Sequence, residues 1–140
     1  MPTRSAREGR DPVRLLLDTH ALPWWLTDDP KLPAHAGSRI DDPTNDIAIS
    51  PVSAYELRFK ALKGLLPGGD LAAAEIAQVA DAANFTVLPL TLDHASLAGS
   101  LPLPHRDPFD RVLAAQALPG EYTILSVAAA FDGLGVPRVW

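Results

Sequence analysis

The chain has 140 residues, a formal net charge of −5 at pH 7 and no cysteine. A chain of this length buries one hydrophobic core, so we predict a single domain over residues 13–140, preceded by a disordered arm over residues 1–12. The missing cysteines exclude disulfides, cysteine-ligated zinc and thiol catalysis. The sequence contains neither a membrane-spanning apolar run nor the apolar segment of a secretory signal, so we expect a cytoplasmic protein without membrane contact.

Short apolar segments alternate with helical segments along the sequence. The predicted elements are, in chain order, a strand at 13–17, a helix after Thr19, a helix at 33–40, a strand at 46–50, a helix from 51 to about 63, a helix at 70–83, a strand at 85–88, a helix at 92–100, a helix from 107 to about 118, a strand at 122–126 and a last segment at 136–140. This alternation is typical of an α/β fold with a mostly parallel central sheet.

Residues with capping chemistry mark several helix starts. Thr19 is predicted to cap the first helix, while Ser50 and Asp107 each precede a proline at the start of a later one. Such side chains accept hydrogen bonds from the free amides of a first helical turn, and proline tolerates the first position of a helix. The Pro-Gly-Gly sequence at 67–69 is expected to follow the end of the helix that begins after Ser50.

The densest motif of the chain is HRDPFDR at 105–111, which brings together two carboxylates and two guanidinium groups. Asp-Pro-x-Asp is a natural helix start, so we interpret Asp107 mainly as the cap of the following helix. Asp110 then falls in the first turn of that helix and is available as a ligand. The motif therefore marks a candidate site rather than a capping sequence alone.

Two further acids follow predicted strands. Asp18 ends the first strand, and Glu56 lies in the helix that follows the second strand. Because parallel strands present their carboxyl ends at one edge of a sheet, Asp18, Glu56 and Asp110 could converge there and hold Mg²⁺ or Mn²⁺. Taken singly, Asp18 could cap a helix and Glu56 could be a solvated helix residue. Their combination favours metal-dependent phosphodiester hydrolysis, which needs no Ser, His or Cys nucleophile.

Three motifs in this order resemble a known family. They are LLDTHAL at 16–22 with WWL at 24–26, SAYEL at 53–57, and HRDPFDR at 105–111 with the run AAQA at 114–117. Together they are similar to the PIN-domain ribonucleases of the VapC type, the toxin halves of type II toxin–antitoxin pairs. The resemblance covers almost the whole chain from Val13 onward. It implies a PIN-like three-layer fold, with a central sheet of about four to five strands flanked by helices.

The resemblance also implies roles for individual residues. Asp18, Glu56 and Asp110 correspond to three of the family's four acids, as catalytic residues and as ligands of Mg²⁺ or Mn²⁺. Three polar residues are expected to support them: Thr19, Asp107 and Ser126. The family's fourth acid is expected two residues after a Ser or Thr that ends the next strand, and here that place is held by Ala128.

An alanine at position 128 removes one source of oxygen ligands, so the resemblance implies that this chain is an impaired enzyme. Asp132 is four residues further along, on a short helix, and is not counted as a replacement. Two origins of Ala128 stay open, an introduced Asp-to-Ala change and natural degeneration of the site. An alanine codon in the natural gene would decide for degeneration.

Basic residues near the acids have two interpretations. Lys60, Lys63, Arg106 and Arg111 could line the approach to the site and hold RNA phosphates. Alternatively, Glu56, Lys60 and Lys63 follow the spacing of one helix face and could form a solvent-exposed, ion-paired surface.

The histidines and two adjacent tryptophans are further residues with functional chemistry. The four histidines lack the spacing of zinc ligands, so we do not predict a metal role for them. Trp24 and Trp25 are adjacent and cannot both face inward, so the helix that carries them is a candidate for part of an antitoxin-binding or dimer surface.

The leading hypothesis is a metal-dependent endoribonuclease toxin, acting on structured RNA such as tRNA or rRNA. The resemblance further implies a cognate antitoxin and a homodimer. The alternative is a non-catalytic PIN-like module that binds antitoxin or RNA. A phospho-acceptor or phosphatase is disfavoured, because Asp18 is not followed by a second aspartate two places on.

Overall fold

A computed structural model describes residues 11–65, 76–102 and 106–140. Most of the predicted arm at 1–12, the turn at 67–69, the start of the helix predicted at 70–83, and His105 lie outside these ranges. None of the helices in the described ranges is long and apolar enough to cross a membrane.

The centre of the fold is a five-stranded, all-parallel sheet in the order β3-β2-β1-β4-β5. Its strands are β1 (Arg14–Leu17), β2 (Asp46–Ile49), β3 (Thr86–Val87), β4 (Thr123–Leu125) and β5 (Arg138–Val139). This confirms the predicted α/β class and the predicted parallel sheet. The chain leaves β1 toward β2 on one side, whereas β4 continues to β5 on the other side. The sheet therefore has a topological switch point between β1 and β4, where parallel α/β proteins form a crevice.

The described ranges contain six α-helices and one 3₁₀ helix, and each of them lies between two strands. They are α1 (Ala21–Leu26), α2 (Ala34–Asp41), α3 (Pro51–Leu62), α4 (Ile76–Ala83), α5 (Leu92–Ser100), α6 (Pro108–Gly120) and the 3₁₀ helix Ala129–Leu134. Two predicted caps are confirmed. Ser50 Oγ accepts a hydrogen bond from the amide of Val52 at 3.1 Å, and an Asp107 carboxylate oxygen accepts one from the amide of Phe109 at 2.9 Å.

The predicted cap of the first helix is wrong. Helix α1 begins after His20, which makes no capping bond with its side chain. Thr19 is buried, and its hydroxyl lies 3.0 Å from Ser53 Oγ on α3. A buried hydroxyl needs a hydrogen-bond partner, and the one on α3 takes the place of the amides of the first turn of α1.

Alternate residues of β1 face opposite sides of the sheet and build two separate cores. Leu15 and Leu17 pack in the cluster that contains Leu22 of α1, whereas Leu16 packs in the cluster that contains Leu113 of α6. Helices thus cover both faces of the sheet, which confirms the three-layer arrangement. The polar carboxyl edge of the strands lies between these two cores.

Candidate active site

Asp18 lies at the end of β1, at the switch point of the sheet. Its side chain is buried, with the residue only 8% exposed. Ser126, which directly follows β4, donates a hydrogen bond from Oγ to Asp18 Oδ2 at 2.7 Å. The amide of Thr19 donates to Asp18 Oδ1 at 2.7 Å. The carboxylate is therefore held rigidly by groups from two neighbouring strand ends.

Glu56 is brought to the same edge by α3, which starts immediately after β2. Ser53 and Glu56 are three residues apart and share one face of this helix. Because Ser53 contacts Thr19, that face lies against the residue next to Asp18. Glu56 is 4% exposed, and its Oε2 lies 2.7 Å from Lys60 Nζ. The predicted ion pair on this helix face is confirmed for Glu56 and Lys60. The Glu56 carboxylate, however, is buried and not exposed to solvent as that interpretation expected.

The two acids act on each other electrostatically. Burial raises the pKa of Asp18 above its ordinary value, and the charge of Glu56 raises it further. The hydrogen bond from Ser126, the charge of His20 and the amide of Thr19 act in the opposite direction without overcoming burial. A buried carboxylate beside a second one is stabilised in its charged form by a cation, which is the electrostatic character of a metal site.

Asp110 lies in the first turn of α6 and is half-buried. Helix α6 packs against α3 here, since the rings of Phe109 and Tyr55 are 5.6 Å apart. No three acids or histidines in the described ranges lie close enough together to hold a metal ion. The structure thus shows an electrostatic interaction between Asp18 and Glu56. It does not bring Asp110 close enough to complete a three-carboxylate metal site with them. The chemistry of Asp18 and Glu56, two buried carboxylates, fits a hard divalent cation.

The Ser126 hydroxyl connects the amide of Ala128 to the carboxylate of Asp18. Its amide donates to Ser126 Oγ at 2.9 Å, the same atom that donates to Asp18. Asp132 instead forms a two-pronged ion pair with Arg138, at 3.0 and 3.1 Å. Arg138 also donates to the Ser126 carbonyl at 3.1 Å. Asp132 is therefore occupied by another partner and does not replace a carboxylate at position 128.

The basic residues proposed to hold RNA differ in what they contact. Lys60 Nζ lies 2.7 Å from Glu56, whereas Lys63 is exposed with its ammonium 4.8 Å from the centre of the Phe59 ring. Arg106 is exposed. The guanidinium of Arg111 donates to three backbone carbonyls at the end of α5 and just beyond it, those of Ala98, Leu101 and Pro102.

We expect Arg111 to stabilise the fold and Arg106 to leave stability unchanged. Arg111→Met removes charge-assisted bonds to the carboxyl end of α5 and should lower the free energy of unfolding by about 1–3 kcal/mol. Arg106→Met should change it by less than about 0.5 kcal/mol. Urea denaturation measures both, and equal stability of the two variants would contradict the assignment.

The helix with the two tryptophans is less exposed than predicted. Both side chains are half-buried. Trp25 Nε1 donates to Asp41 at 2.9 Å and its ring lies 5.2 Å from that of Phe85, while Trp24 meets Trp140 edge-on at 6.0 Å. The exposed apolar side chains at 55–65 are instead those of Tyr55, Phe59, Leu62 and Leu65.

Two residues of this site were not predicted from the sequence. Ser53 lies three places before Glu56, and His20 lies two places after Asp18, with its Nε2 3.4 Å from Lys60 Nζ. The spacing of Ser53 to Glu56 was a usable signal, because residues three apart share a helix face. The sequence gives no comparable signal for His20, because the histidines lack the spacing of zinc ligands.

The all-parallel sheet flanked by helices defines the class of the protein as an α/β fold, with buried carboxylates near the switch point of the sheet. Several solved structures share this fold, and three of them follow. VapBC2 from Rickettsia felis, bound to a promoter DNA fragment, has a TM-score of 0.66 at 14% identity and covers 91% of this chain and 98% of that one. FitAcB from Neisseria gonorrhoeae has a TM-score of 0.62 at 18% identity, covering 90% and 96%. VapBC-5 from Mycobacterium tuberculosis has a TM-score of 0.55 at 21% identity, covering 91% and 100%.

The PIN domain family matches residues 15–132, which is most of the chain. The chain belongs to the PIN domain family, as its three motifs predicted, and this family consists of nucleases. No curated protein sequence matches it significantly. The matched range contains all of the acids discussed above and Ala128.

Proposed function

We propose that this protein is the toxin of a toxin–antitoxin pair, an endoribonuclease that hydrolyses RNA with the help of Mg²⁺ or Mn²⁺. The observation that carries the proposal is the buried Asp18 at the switch point, electrostatically coupled to Glu56. A buried pair of this kind costs stability in the absence of a cation, and sites of catalysis are where such pairs are found. Membership of a nuclease family supplies the class of reaction.

The acids and the polar residues that contact them have separate proposed roles. Asp18 and Glu56 are the metal ligands, and Asp110 contributes a third carboxylate from the first turn of α6. Ser126 and Thr19 hold Asp18 in place through their hydrogen bonds, and Asp107 fixes the start of α6. A divalent ion would supply an activated water and neutralise charge on the phosphodiester. In this chain Ala128 leaves the ligand set one carboxylate short, which we expect to slow the reaction.

Arg106 and Lys63 are the side chains that we propose to hold the RNA backbone. Both are exposed, whereas Lys60 is paired with Glu56 and Arg111 with backbone carbonyls. Charge on exposed lysine and arginine side chains is what binds phosphates without regard to sequence. We propose structured RNA such as tRNA or rRNA as the substrate.

A cognate antitoxin is the proposed protein partner. The solved structures similar to this chain include toxin–antitoxin proteins such as VapBC-5. The exposed apolar side chains on α3 are Tyr55, Phe59 and Leu62, and they are better candidates for antitoxin contact than the half-buried Trp24. We also propose a homodimer, which light scattering of the isolated chain can check.

The direct test is cleavage of tRNA and rRNA pools by the purified chain with Mn²⁺ and with EDTA. We expect slow cleavage that stops in EDTA. Ala128 favours a second candidate function, an RNA- or antitoxin-binding module that no longer cuts. That function predicts no cleavage with Mn²⁺ and RNA binding that EDTA leaves unchanged. Failure of both the unsubstituted chain and Ala128→Asp to cut any RNA would contradict the nuclease proposal.

A further inference from the structure

The ion pair between Glu56 and Lys60 is set inside the candidate site rather than on the surface. The Glu56 side chain is 6% exposed and that of Lys60 is 28% exposed, with Nζ and Oε2 2.7 Å apart. A buried carboxylate without a partner is unfavourable, so a nearby cation is needed whenever Glu56 is charged. In the structure that cation is the Lys60 ammonium.

The Lys60 ammonium also lies close to the segment that follows β1. Its Nζ lies 3.4 Å from Nε2 of His20, whose charge acts on Asp18. The ammonium is thus close to Glu56 on its own helix and to the segment that follows β1. This is the region where a cation shared by Asp18 and Glu56 would have to sit.

We propose that Lys60 is an internal counter-cation that competes with the divalent metal ion for Glu56. The proposal rests on the metal site proposed above. A divalent ion bound to Glu56 would repel the neighbouring ammonium and would neutralise the same carboxylate charge, so metal binding weakens the Lys60–Glu56 ion pair. Lys60 thereby stabilises the metal-free protein and lowers its affinity for the ion. If Lys60 only oriented Glu56 toward the metal, its removal would weaken metal binding instead.

Lys60→Met keeps the length of the side chain and removes its charge. We expect this variant to bind Mn²⁺ about ten-fold or more tightly than the unsubstituted chain, since a nearby like charge shifts ion-binding equilibria by at least that factor. Titration followed by electron paramagnetic resonance of free Mn²⁺ gives the affinity. The matched control is Lys31→Met, which removes a surface pair to Asp29 at 3.8 Å outside the site and should leave Mn²⁺ affinity unchanged.

Thermal unfolding provides a second readout. In EDTA, Lys60→Met should melt below the unsubstituted chain because Glu56 loses its partner. Saturating Mn²⁺ should raise the melting temperature of Lys60→Met by more than it raises that of the unsubstituted chain. Equal or weaker Mn²⁺ binding by Lys60→Met would overturn the proposal.

A third readout covers the case in which Lys60→Met does not fold. Acylation of lysines in the unsubstituted chain, read by mass spectrometry, should be faster at Lys60 with saturating Mg²⁺ than in EDTA, and unchanged at Lys31. Unchanged or slower labelling of Lys60 would overturn the proposal. If Mn²⁺ binds equally well to the unsubstituted chain and Lys60→Met, the nuclease proposal still stands. If Mn²⁺ binds to neither, nor to Ala128→Asp, the proposed metal dependence fails as well.

Discussion

Ala128→Asp should raise the rate of Mn²⁺-dependent RNA cleavage by about 100-fold or more. Position 128 is linked to Asp18 through Ser126 Oγ, which lies 2.9 Å from the amide of Ala128 and 2.7 Å from Asp18 Oδ2. A carboxylate there would join Asp18 and Glu56 as a further oxygen ligand. Loss of residues that only support metal ligands commonly costs 10–100-fold in affinity or activity, so restoring a direct ligand should have at least the larger effect.

The same substitution should lower the melting temperature in EDTA, because it adds a third negative charge beside a carboxylate that burial already disfavours. Mn²⁺ should raise the melting temperature of Ala128→Asp by more than this decrease. Ala129→Asp is the matched control, since Ala129 is exposed and adjacent in sequence. Cleavage rates and melting curves of both variants test whether position 128 belongs to the metal site. Equal cleavage by Ala128→Asp and Ala129→Asp would show that position 128 does not belong to the metal site.

Local patterns in the sequence predicted most of the fold. The apolar run at 13–17 predicted β1, and the caps Ser50 and Asp107 predicted the starts of α3 and α6 because their chemistry acts within three residues. The parallel sheet followed from the alternation of strands and helices. The convergence of Asp18 and Glu56 at one edge then followed from the sheet, since parallel strands end together.

Contacts between distant residues could not be predicted in the same way. Thr19 has the chemistry of a cap, yet its hydroxyl contacts Ser53, which only the packing of α3 brings near. Arg111 looks like a phosphate ligand in the sequence, but its guanidinium binds carbonyls at the end of α5. Gln116 is buried in α6 and donates to Leu88 and Pro89 carbonyls after β3, a role that no local pattern reveals.

The same distinction between local patterns and distant contacts applies to the site. The sequence identified the acids and the vacant position 128, because their order along the chain resembles that of a known family. The spacing of Glu56 and Lys60 on one helix face predicted their ion pair, but not its burial. The ion pair of Asp132 with Arg138 was not predicted, since it depends on how the chain after β4 folds back. The carboxylates and the cation on the same helix were therefore predictable, whereas the contacts that depend on tertiary packing were not.

Asp18→Asn should remove cleavage and stabilise the metal-free protein at the same time. The amide can keep both hydrogen bonds, accepting from the amide of Thr19 and donating to Ser126 Oγ, while the buried charge disappears. Because burial raises the pKa of Asp18 in the folded state, its ionisation costs stability. That cost is absent below the unfolded-state pKa, near the ordinary value of 3.8, and grows as the pH rises through the folded-state pKa. Asp18→Asn should therefore melt above the unsubstituted chain at pH 7.5 in EDTA, and this difference should shrink as the pH falls toward 4.

The cleavage arm of the same test uses Ala128→Asp as the parent, so that activity is large enough to lose. Adding Asp18→Asn should reduce Mn²⁺-dependent cleavage by at least about 100-fold, because a direct ligand is removed, and should abolish the rise in melting temperature caused by Mn²⁺. Asp132→Asn in the same parent is the control, since Asp132 binds Arg138 and not the metal site. It should leave cleavage within about threefold of the parent. If Asp18→Asn melts below the unsubstituted chain in EDTA, or if the melting temperature of the double variant still rises with Mn²⁺, Asp18 is a structural residue of the crevice and the ion is held elsewhere.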